Sequence, residues 1–215
     1  TTAYVNQGAI HVALERGDIA HYRDLVENQV AFSKEQRLSF FRALAISLKA
    51  HADSIVGADV ADIDKMRASI ARMEDQFGLI MAPKHLTLVA TVCAARGLQS
   101  EGLDACRRAF EIVEQTGERF YEAELHRVNG LLLAPEPGGN TKPAEECLMR
   151  ALEVARSQSA KTLELRAARD LARLWRDQGK TREARNLLAP VYDWFTEGFD
   201  TADLKEAKAL LDELS

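Results

Sequence analysis

The chain has 215 residues, of which 47% are hydrophobic, 28% are charged and only 7% are aromatic, and its net charge is −5. A chain of this length can bury a sizeable core, and its alanine- and leucine-rich apolar content favours helices over strands. The acidic balance lacks the basic footprint of a nucleic-acid-binding protein, and no apolar run reaches the roughly 18 residues of a membrane span. We therefore expect an all-α protein that binds neither nucleic acid nor a membrane.

Three cysteines, Cys93, Cys106 and Cys147, lie far apart and form no CxxC motif. An odd number of separated thiols in a chain of this size favours a reducing, cytoplasmic compartment over a disulfide framework. We expect them to be buried apolar filler. The chain begins Thr1-Thr2 without an initiator Met or a signal peptide, and we interpret it as a piece of a longer protein.

Five glycines recur at spacings of 40, 40, 42 and 40 residues, namely Gly17, Gly57, Gly97, Gly139 and Gly179. Each lies between two helical patterns, where a turn needs a residue that tolerates a positive φ. A repeat of this length predicts pairs of helices. The predicted pairs span about residues 3–31, 34–77, 83–117, 119–158 and 161–195, and a further helix over 201–214 caps the array.

The first two pairs have the looser pattern. In the second pair, the second helix carries an apolar stripe at alternating spacings of 3 and 4, formed by Ile63, Met66, Ile70, Met73 and Phe77. Ser33 and Gln36 predict a capping box at the start of this pair. The fourth pair contains a long turn over residues 135–142, rich in proline and glycine.

The later pairs follow the tetratricopeptide (TPR) order of large apolar residue, small residue, aromatic residue and turn glycine. The fifth pair is the clearest, with one helical face formed by Ala168, Leu171, Ala172 and Trp175 before Gly179. We predict an all-α, TPR-like right-handed superhelical solenoid of about five helix pairs plus a C-terminal capping helix. It should form one domain over residues 1–215, with eleven helices and no sheet.

Candidate catalytic and metal-binding groups are sparse. Glu122 and His126 share a helix face but lack a third ligand, and residues 138–142 lack the GxxxxGK[ST] spacing of a phosphate loop. We expect no catalytic residue, metal or cofactor. Five aromatic residues near the C-terminus fit either a ligand pocket or, as we predict, the core beneath the capping helix: Trp175, Tyr192, Trp194, Phe195 and Phe199.

A basic stripe is the candidate binding surface. Spacings of 3, 4 and 3 place four arginines on one face of the first helix in the fifth pair: Arg166, Arg169, Arg173 and Arg176. In TPR arrays the first helix of each pair lines the concave surface, and Arg127 and Lys84 fall at comparable positions in pairs four and three.

Guanidinium groups bind carboxylates through two parallel hydrogen bonds, so the stripe predicts a groove for an acidic segment of a protein or peptide. The alternative is a solvated helix whose charges pair at i, i+4, as Arg166 with Asp170 and Arg173 with Asp177. If the groove exists, we expect charge reversal at Arg169 and Arg173 to weaken partner binding without loss of helix content.

Two stretches resemble the C-terminal arm of bacterial fusion proteins that join a class III adenylate/guanylate cyclase domain to an ATPase module and a TPR-type array. They are TGERFYEAELHRVNGLLL at residues 116–133 and LELRAARDLARLWRDQGKTREARNLLAPVYDWFTEGFDTADLKEAKALLDEL within residues 161–214. The resemblance covers about residues 83–214 and implies a cytoplasmic regulatory arm that contacts other domains of its parent protein. It transfers no catalytic residue, because nothing here matches the cyclase's metal-binding aspartates or the ATPase's phosphate loop.

The function we expect is therefore a non-catalytic interaction and regulatory module that binds a protein or peptide on its concave face. The alternative is a solenoid that senses a small-molecule effector, of the maltose-regulator-like type with similar 40-residue repeats. A charged groove favours the peptide, and a closed apolar pocket favours the small molecule.

Overall fold

The structure, a computed structural model, describes residues 2–57, 61–134 and 139–215. Within these ranges it contains eleven α-helices and no strand, which confirms the predicted helix number and the all-α class for the described residues. The helices are α1 (Thr2–Glu15), α2 (Ile19–Glu35), α3 (Ser39–Val56), α4 (Ala61–Phe77), α5 (Ala82–Ala95), α6 (Gln99–Thr116), α7 (Glu122–Leu132), α8 (Lys142–Ser157), α9 (Lys161–Asp177), α10 (Thr181–Tyr192) and α11 (Ala202–Glu213). Residues 135–138 of the predicted long turn in the fourth pair lie outside the described residues, and Lys142 at its end is the first residue of α8.

The chain divides into two compact units, Thr1–Glu118 and Arg119–Ser215. Unit 1 contains α1 to α6, and unit 2 contains α7 to α11. The boundary coincides with the predicted junction between the third and fourth helix pairs. Each predicted pair corresponds to two consecutive helices, and α11 corresponds to the predicted capping helix. The single domain over residues 1–215 stays a prediction.

Within each unit, consecutive helices pack against each other, and so do some first helices of neighbouring pairs. In unit 1, α3 packs on α5; in unit 2, α7 packs on α9 and α9 on α11. We call the first helices of the five pairs, α1, α3, α5, α7 and α9, the inner helices. Contacts restricted to neighbouring pairs are typical of helical-repeat arrays.

Three of the periodic glycines make the turns that their spacing predicts. Gly17, Gly97 and Gly179 have φ values of 72°, 69° and 78°. At Gly179 the next amide, that of Lys180, donates to the carbonyl oxygen of Trp175 at 2.8 Å, which closes the helix with a Schellman motif. Only a residue without a Cβ adopts this conformation at no steric cost.

Gly57 contradicts the prediction of a positive φ, because it is extended, with φ −105° and ψ 161°. Its amide still donates to the carbonyl oxygen of Asp53 at 2.8 Å. Its own carbonyl accepts a hydrogen bond from Nη2 of Arg96 at 2.7 Å. The end of α3 is thus tied to the end of α5 by a side chain instead of being turned by a left-handed residue.

The predicted capping box at Ser33 and Gln36 is wrong. Ser33 is fully buried inside α2, and Gln36 is the C-cap of that helix. Arg37 adopts a left-handed φ of 56°, and the amide of Leu38 donates to the carbonyl oxygen of Ser33 at 2.9 Å. A non-glycine residue therefore makes the turn between the first two pairs, and a left-handed arginine has no local sequence signature.

The core of unit 2 is an apolar cluster contributed by α8, α9, α10 and α11. Trp175, Tyr192 and Phe195 pack partly buried against it, as predicted. Trp194 and Phe199 are exposed, so the prediction that all five C-terminal aromatics are core is wrong for these two.

In unit 1, Cys93 and Cys106 are buried as expected, and burial raises the pKa of the Cys93 thiol, which disfavours a reactive thiolate.

Gly130 marks a close approach of α7 to α8. A Cβ at this position would lie 2.9 Å from Cγ of Leu148 and 3.2 Å from the carbonyl oxygen of Ala144. We expect Gly130→Ala to lower the free energy of unfolding of unit 2 by about 1–2 kcal/mol, because the overpacking outweighs the helix propensity gained by alanine.

Gly8 provides the matched control, since it lies inside α1 and a Cβ there meets nothing within 4 Å. Gly8→Ala should raise the stability of unit 1 by about 0.5–1 kcal/mol through backbone entropy alone. Chemical denaturation followed by circular dichroism measures both changes. Stabilisation by both substitutions would contradict the close approach of α7 and α8.

Candidate functional site

The four arginines of α9 lie on one side of the helix, as their spacing predicts, and we call them the arginine face: Arg166, Arg169, Arg173 and Arg176. Each has a carboxylate partner on α11. Nε of Arg166 donates to Asp203 Oδ2 at 2.8 Å, and Nη2 of Arg173 donates to Glu206 Oε2 at 3.2 Å. Arg169 pairs with both of these acids at 3.1 Å, and Arg176 pairs with Glu213.

The helix α11 presents these acids because its sequence is amphipathic. Asp203, Glu206 and Glu213 follow spacings of 3 and 7, which place them on one side of the helix. The other side enters the unit 2 core through Leu204, Ala207, Leu210 and Leu211. The capping helix thus covers apolar core and neutralises the arginine face at the same time.

Accessibility divides the arginine face into two parts. The side chain of Arg169 is only 8% exposed and that of Arg166 is 13% exposed. Arg173 and Arg176 keep 40% and 35% of their side-chain surface, and their α11 partners Glu206 and Glu213 are still more exposed. Only the C-terminal half of the arginine face is therefore open to a partner.

Arg127 of α7 is buried beside this surface and not displayed on it. Its Nε and Nη2 donate to the two carboxylate oxygens of Glu124 at 2.9 and 2.7 Å, and its Nη1 donates to Asp170 Oδ2 of α9. Burial acts to raise the pKa of Glu124, but the charge and hydrogen bonds of Arg127 outweigh it and lower that pKa to about 2. The pair stays ionised, and removing one partner from such a buried pair costs about 3–5 kcal/mol.

Asp170 is the shared acceptor of this network. Besides Arg127, it accepts hydrogen bonds from Nε of Arg169 at 3.0 Å and from Nη1 of Arg173 at 3.3 Å. Charge reversal at Arg169 therefore does not test partner binding alone. A glutamate there would lie buried beside Asp170 and Asp203 and would destabilise the fold. Reversal at the half-exposed Arg173 removes only one of the three donors to Asp170, so the stability of that variant has to be measured together with its binding.

Lys84, predicted as a groove residue, is instead 2% exposed inside unit 1. Burial, and after it the charge of Lys84, lowers the pKa values of three histidines that come from three inner helices: His11 of α1, His51 of α3 and His85 of α5. Since these helices pack their polar side chains inward here, Lys84 presents no charge to a partner. A role of the six predicted cations in partner binding stays a prediction.

The histidines belong to a buried polar cluster. The hydroxyl of Tyr22 donates to the carbonyl oxygen of Leu48 at 3.0 Å and lies 3.0 Å from Nδ1 of His51. Nδ1 of His85 lies 2.8 Å from Oγ of Ser47. The sequence contains a signal for this cluster, since His11 and His51 are one repeat length apart and so fall at equivalent positions of neighbouring pairs.

In the described parts of the chain, no three or more His, Cys, Asp or Glu side chains are grouped so that they could hold a metal ion. None of the described helices combines the length and apolar character needed to cross a lipid bilayer.

The buried histidines predict acid sensitivity. Burial, followed by the charge of Lys84, lowers the pKa of His11 and His51 to about 4 and that of His85 to about 3, against about 6.5 in an unfolded chain. Between these values the unfolded chain binds more protons than the folded chain, so stability falls as the pH drops from 6.5 toward 4.

Each such histidine adds up to about 1.4 kcal/mol per pH unit to the decrease in the free energy of unfolding. Chemical denaturation of unit 1 at pH 7.5, 6.0 and 5.0 measures the slope, and His85→Gln should reduce it whatever its effect on stability at pH 7.5. The partly buried His126 of unit 2, whose pKa burial also lowers, is left unchanged in both proteins. An unaltered slope in His85→Gln would contradict a neutral, buried His85.

The sequence matches no protein-family model, and a search of curated proteins finds no match to it. The function of this chain is accordingly inferred from its own residues and their arrangement.

Proposed function

We propose that the chain is a non-catalytic protein-interaction module, a TPR-like right-handed superhelical solenoid that binds an acidic segment of a protein partner. The contact is made by Arg173 and Arg176 at the open end of the arginine face. The observation that carries the proposal is that these two guanidinium groups remain solvent-exposed and are paired with exposed carboxylates of α11.

Exchange of carboxylates explains how a partner gains access. Glu206 and Glu213 are about half exposed, and an exposed ion pair contributes roughly 0–1 kcal/mol. An incoming carboxylate can therefore replace Glu213 at Arg176 at little cost. At Arg173 it takes the place of Glu206, which keeps its pair with Arg169, while the apolar side of α11 stays in the core. Several acidic residues in one partner segment add their contributions, and electrostatic attraction speeds the encounter.

The buried half of the network has a different role. Arg127, Arg169 and Asp170 are each less than a tenth exposed, and breaking such buried pairs is costly. These groups hold α7, α9 and α11 in register and so position Arg173 and Arg176. They are scaffold residues and not contact residues.

The resemblance of residues 83–214 to the C-terminal arm of cyclase–ATPase fusion proteins supports a cytoplasmic regulatory role. In such a protein the acidic segment would belong either to a separate partner or to another domain of the parent protein. The observation that favours the alternative, a small-molecule sensor, is a separate cleft in unit 1 lined by Arg42 and Arg72.

The proposal is tested with a fluorescein-labelled oligoglutamate peptide, whose binding is followed by fluorescence anisotropy. R173E/R176E should weaken binding at least about tenfold, a loss of about 1.4 kcal/mol. Because Arg173 also donates to the buried Asp170, the stability of the variant is checked by thermal denaturation followed by circular dichroism, and binding is measured at a temperature where it is folded. Binding should also weaken with salt, as expected for exposed charges.

R150E/R182E is the matched control, because it makes the same charge change at two exposed arginines of unit 2 that lie on α8 and α10. The control should bind like the wild type after allowance for net charge. Equal weakening in the two double variants would show that the peptide senses only the overall charge, and the proposed contact would be wrong.

A further inference from the structure

A cleft of about 290 Å³ lies between α3 and α4 in unit 1 and shares no residue with the arginine face. Its lining comes from one side of each helix, at i, i+3, i+4 and i+7 on α3 and at i and i+4 on α4. The lining residues are Ser39, Arg42, Ala43, Ile46, Arg72 and Gln76.

The two helices that form the cleft are held together by specific contacts. Oγ of Ser69, one turn before Arg72, donates to the carbonyl oxygen of Ala43 at 3.0 Å. The rings of Phe40 and Phe77 meet edge to face, with centroids 5.2 Å apart. Both contacts join α3 to α4, so the spacing between the two arginine-bearing helices is fixed before any ligand binds.

The charges of this cleft are not neutralised. Across residues 2–57, 61–134 and 139–215, the guanidinium group of neither Arg42 nor Arg72 forms an ion pair or a hydrogen bond. On α9, in contrast, all four arginines have carboxylate partners. Two guanidinium groups therefore share one concave site without a counter-charge from the described chain.

We propose that this cleft is a binding site for a small organic dianion, whose phosphate or carboxylate oxygens are held between Arg42 and Arg72. The guanidinium group presents two parallel N–H donors, a geometry that matches both kinds of oxyanion. The hydroxyl of Ser39 and the amide of Gln76 supply further donors, and Ala43 and Ile46 offer apolar surface to the carbon skeleton.

The size and charge of the cleft decide the class of ligand. A volume of about 290 Å³ lies at the lower end of the range for small-molecule sites and is too small for a folded partner segment. Two cations in one site favour a doubly charged ligand over a monoanion. The site is independent of the acidic-peptide contact proposed for unit 2, since it shares no residue with it.

Isothermal titration calorimetry with inorganic phosphate and with succinate tests the site, with sodium chloride at matched ionic strength as the reference titration. We expect saturable binding of at least one dianion to the wild-type chain, and a loss of at least tenfold in affinity in R42Q/R72Q. Both arginines are exposed, so the helical circular dichroism of R42Q/R72Q should be unchanged.

R107Q/R108Q is the control variant, since it removes the same charge from two exposed arginines of α6 in the same unit. It should bind as the wild type does. Saturable binding of phosphate alone or of succinate alone would show whether the site prefers a phosphate or a carboxylate group, and either result would support the site. Absence of saturable binding by both anions, or equal affinities in R42Q/R72Q and R107Q/R108Q, would overturn the proposal.

A charge-conserving variant tests the geometry. R42K/R72K keeps both positive charges but loses the two-pronged donors, so its affinity should fall between those of the wild type and R42Q/R72Q. Wild-type affinity in R42K/R72K would overturn the guanidinium contact.

Discussion

The buried carboxylate of Asp170 joins α7 to α9 in unit 2. It accepts hydrogen bonds from Arg127 of α7 and from Arg169 and Arg173 of its own helix. Buried charges are tolerated only when every partner is in place, so this network fixes the positions of α7 and α9 closely. Arg169 then extends the network to Asp203, which sets the position of α11. The exposure of Arg173 and Arg176 is the end result of these constraints.

Unit 1 packs its inner helices around a different kind of polar group. Neutral histidines, a tyrosine and serines exchange hydrogen bonds there, close to the buried charge of Lys84. Both units thus bury polar side chains between their inner helices, but unit 2 uses full charges and unit 1 mostly neutral groups. Acidification below pH 6.5 therefore destabilises unit 1 through its buried histidines, and it also acts on the partly buried His126 of unit 2.

Local patterns predicted the helices well, because helix periodicity and turn glycines depend only on residues a few positions apart in the sequence. Gly17, Gly97 and Gly179 behave as predicted, whereas the left-handed turns at Arg37 and Ser159 carry no glycine and were missed. Spacing alone placed four arginines on one side of α9. It did not reveal that they are paired, because Asp203 and Glu206 lie more than thirty residues away on another helix. The cleft at Arg42 and Arg72 depends on the packing of two helices and had no signal in the sequence.

The division of the arginines into scaffold and contact residues is tested most directly by the NMR signals of their Nε–Hε groups. Salt is raised through the range in which the Debye length falls from about 30 Å to 3 Å, and oligoglutamate is then added. We expect the signals of Arg127 and Arg169 to stay unchanged in both titrations, while those of Arg173 and Arg176 shift. A common response of all four, or a response of Arg127 alone, would contradict the proposed contact and the buried scaffold that supports it.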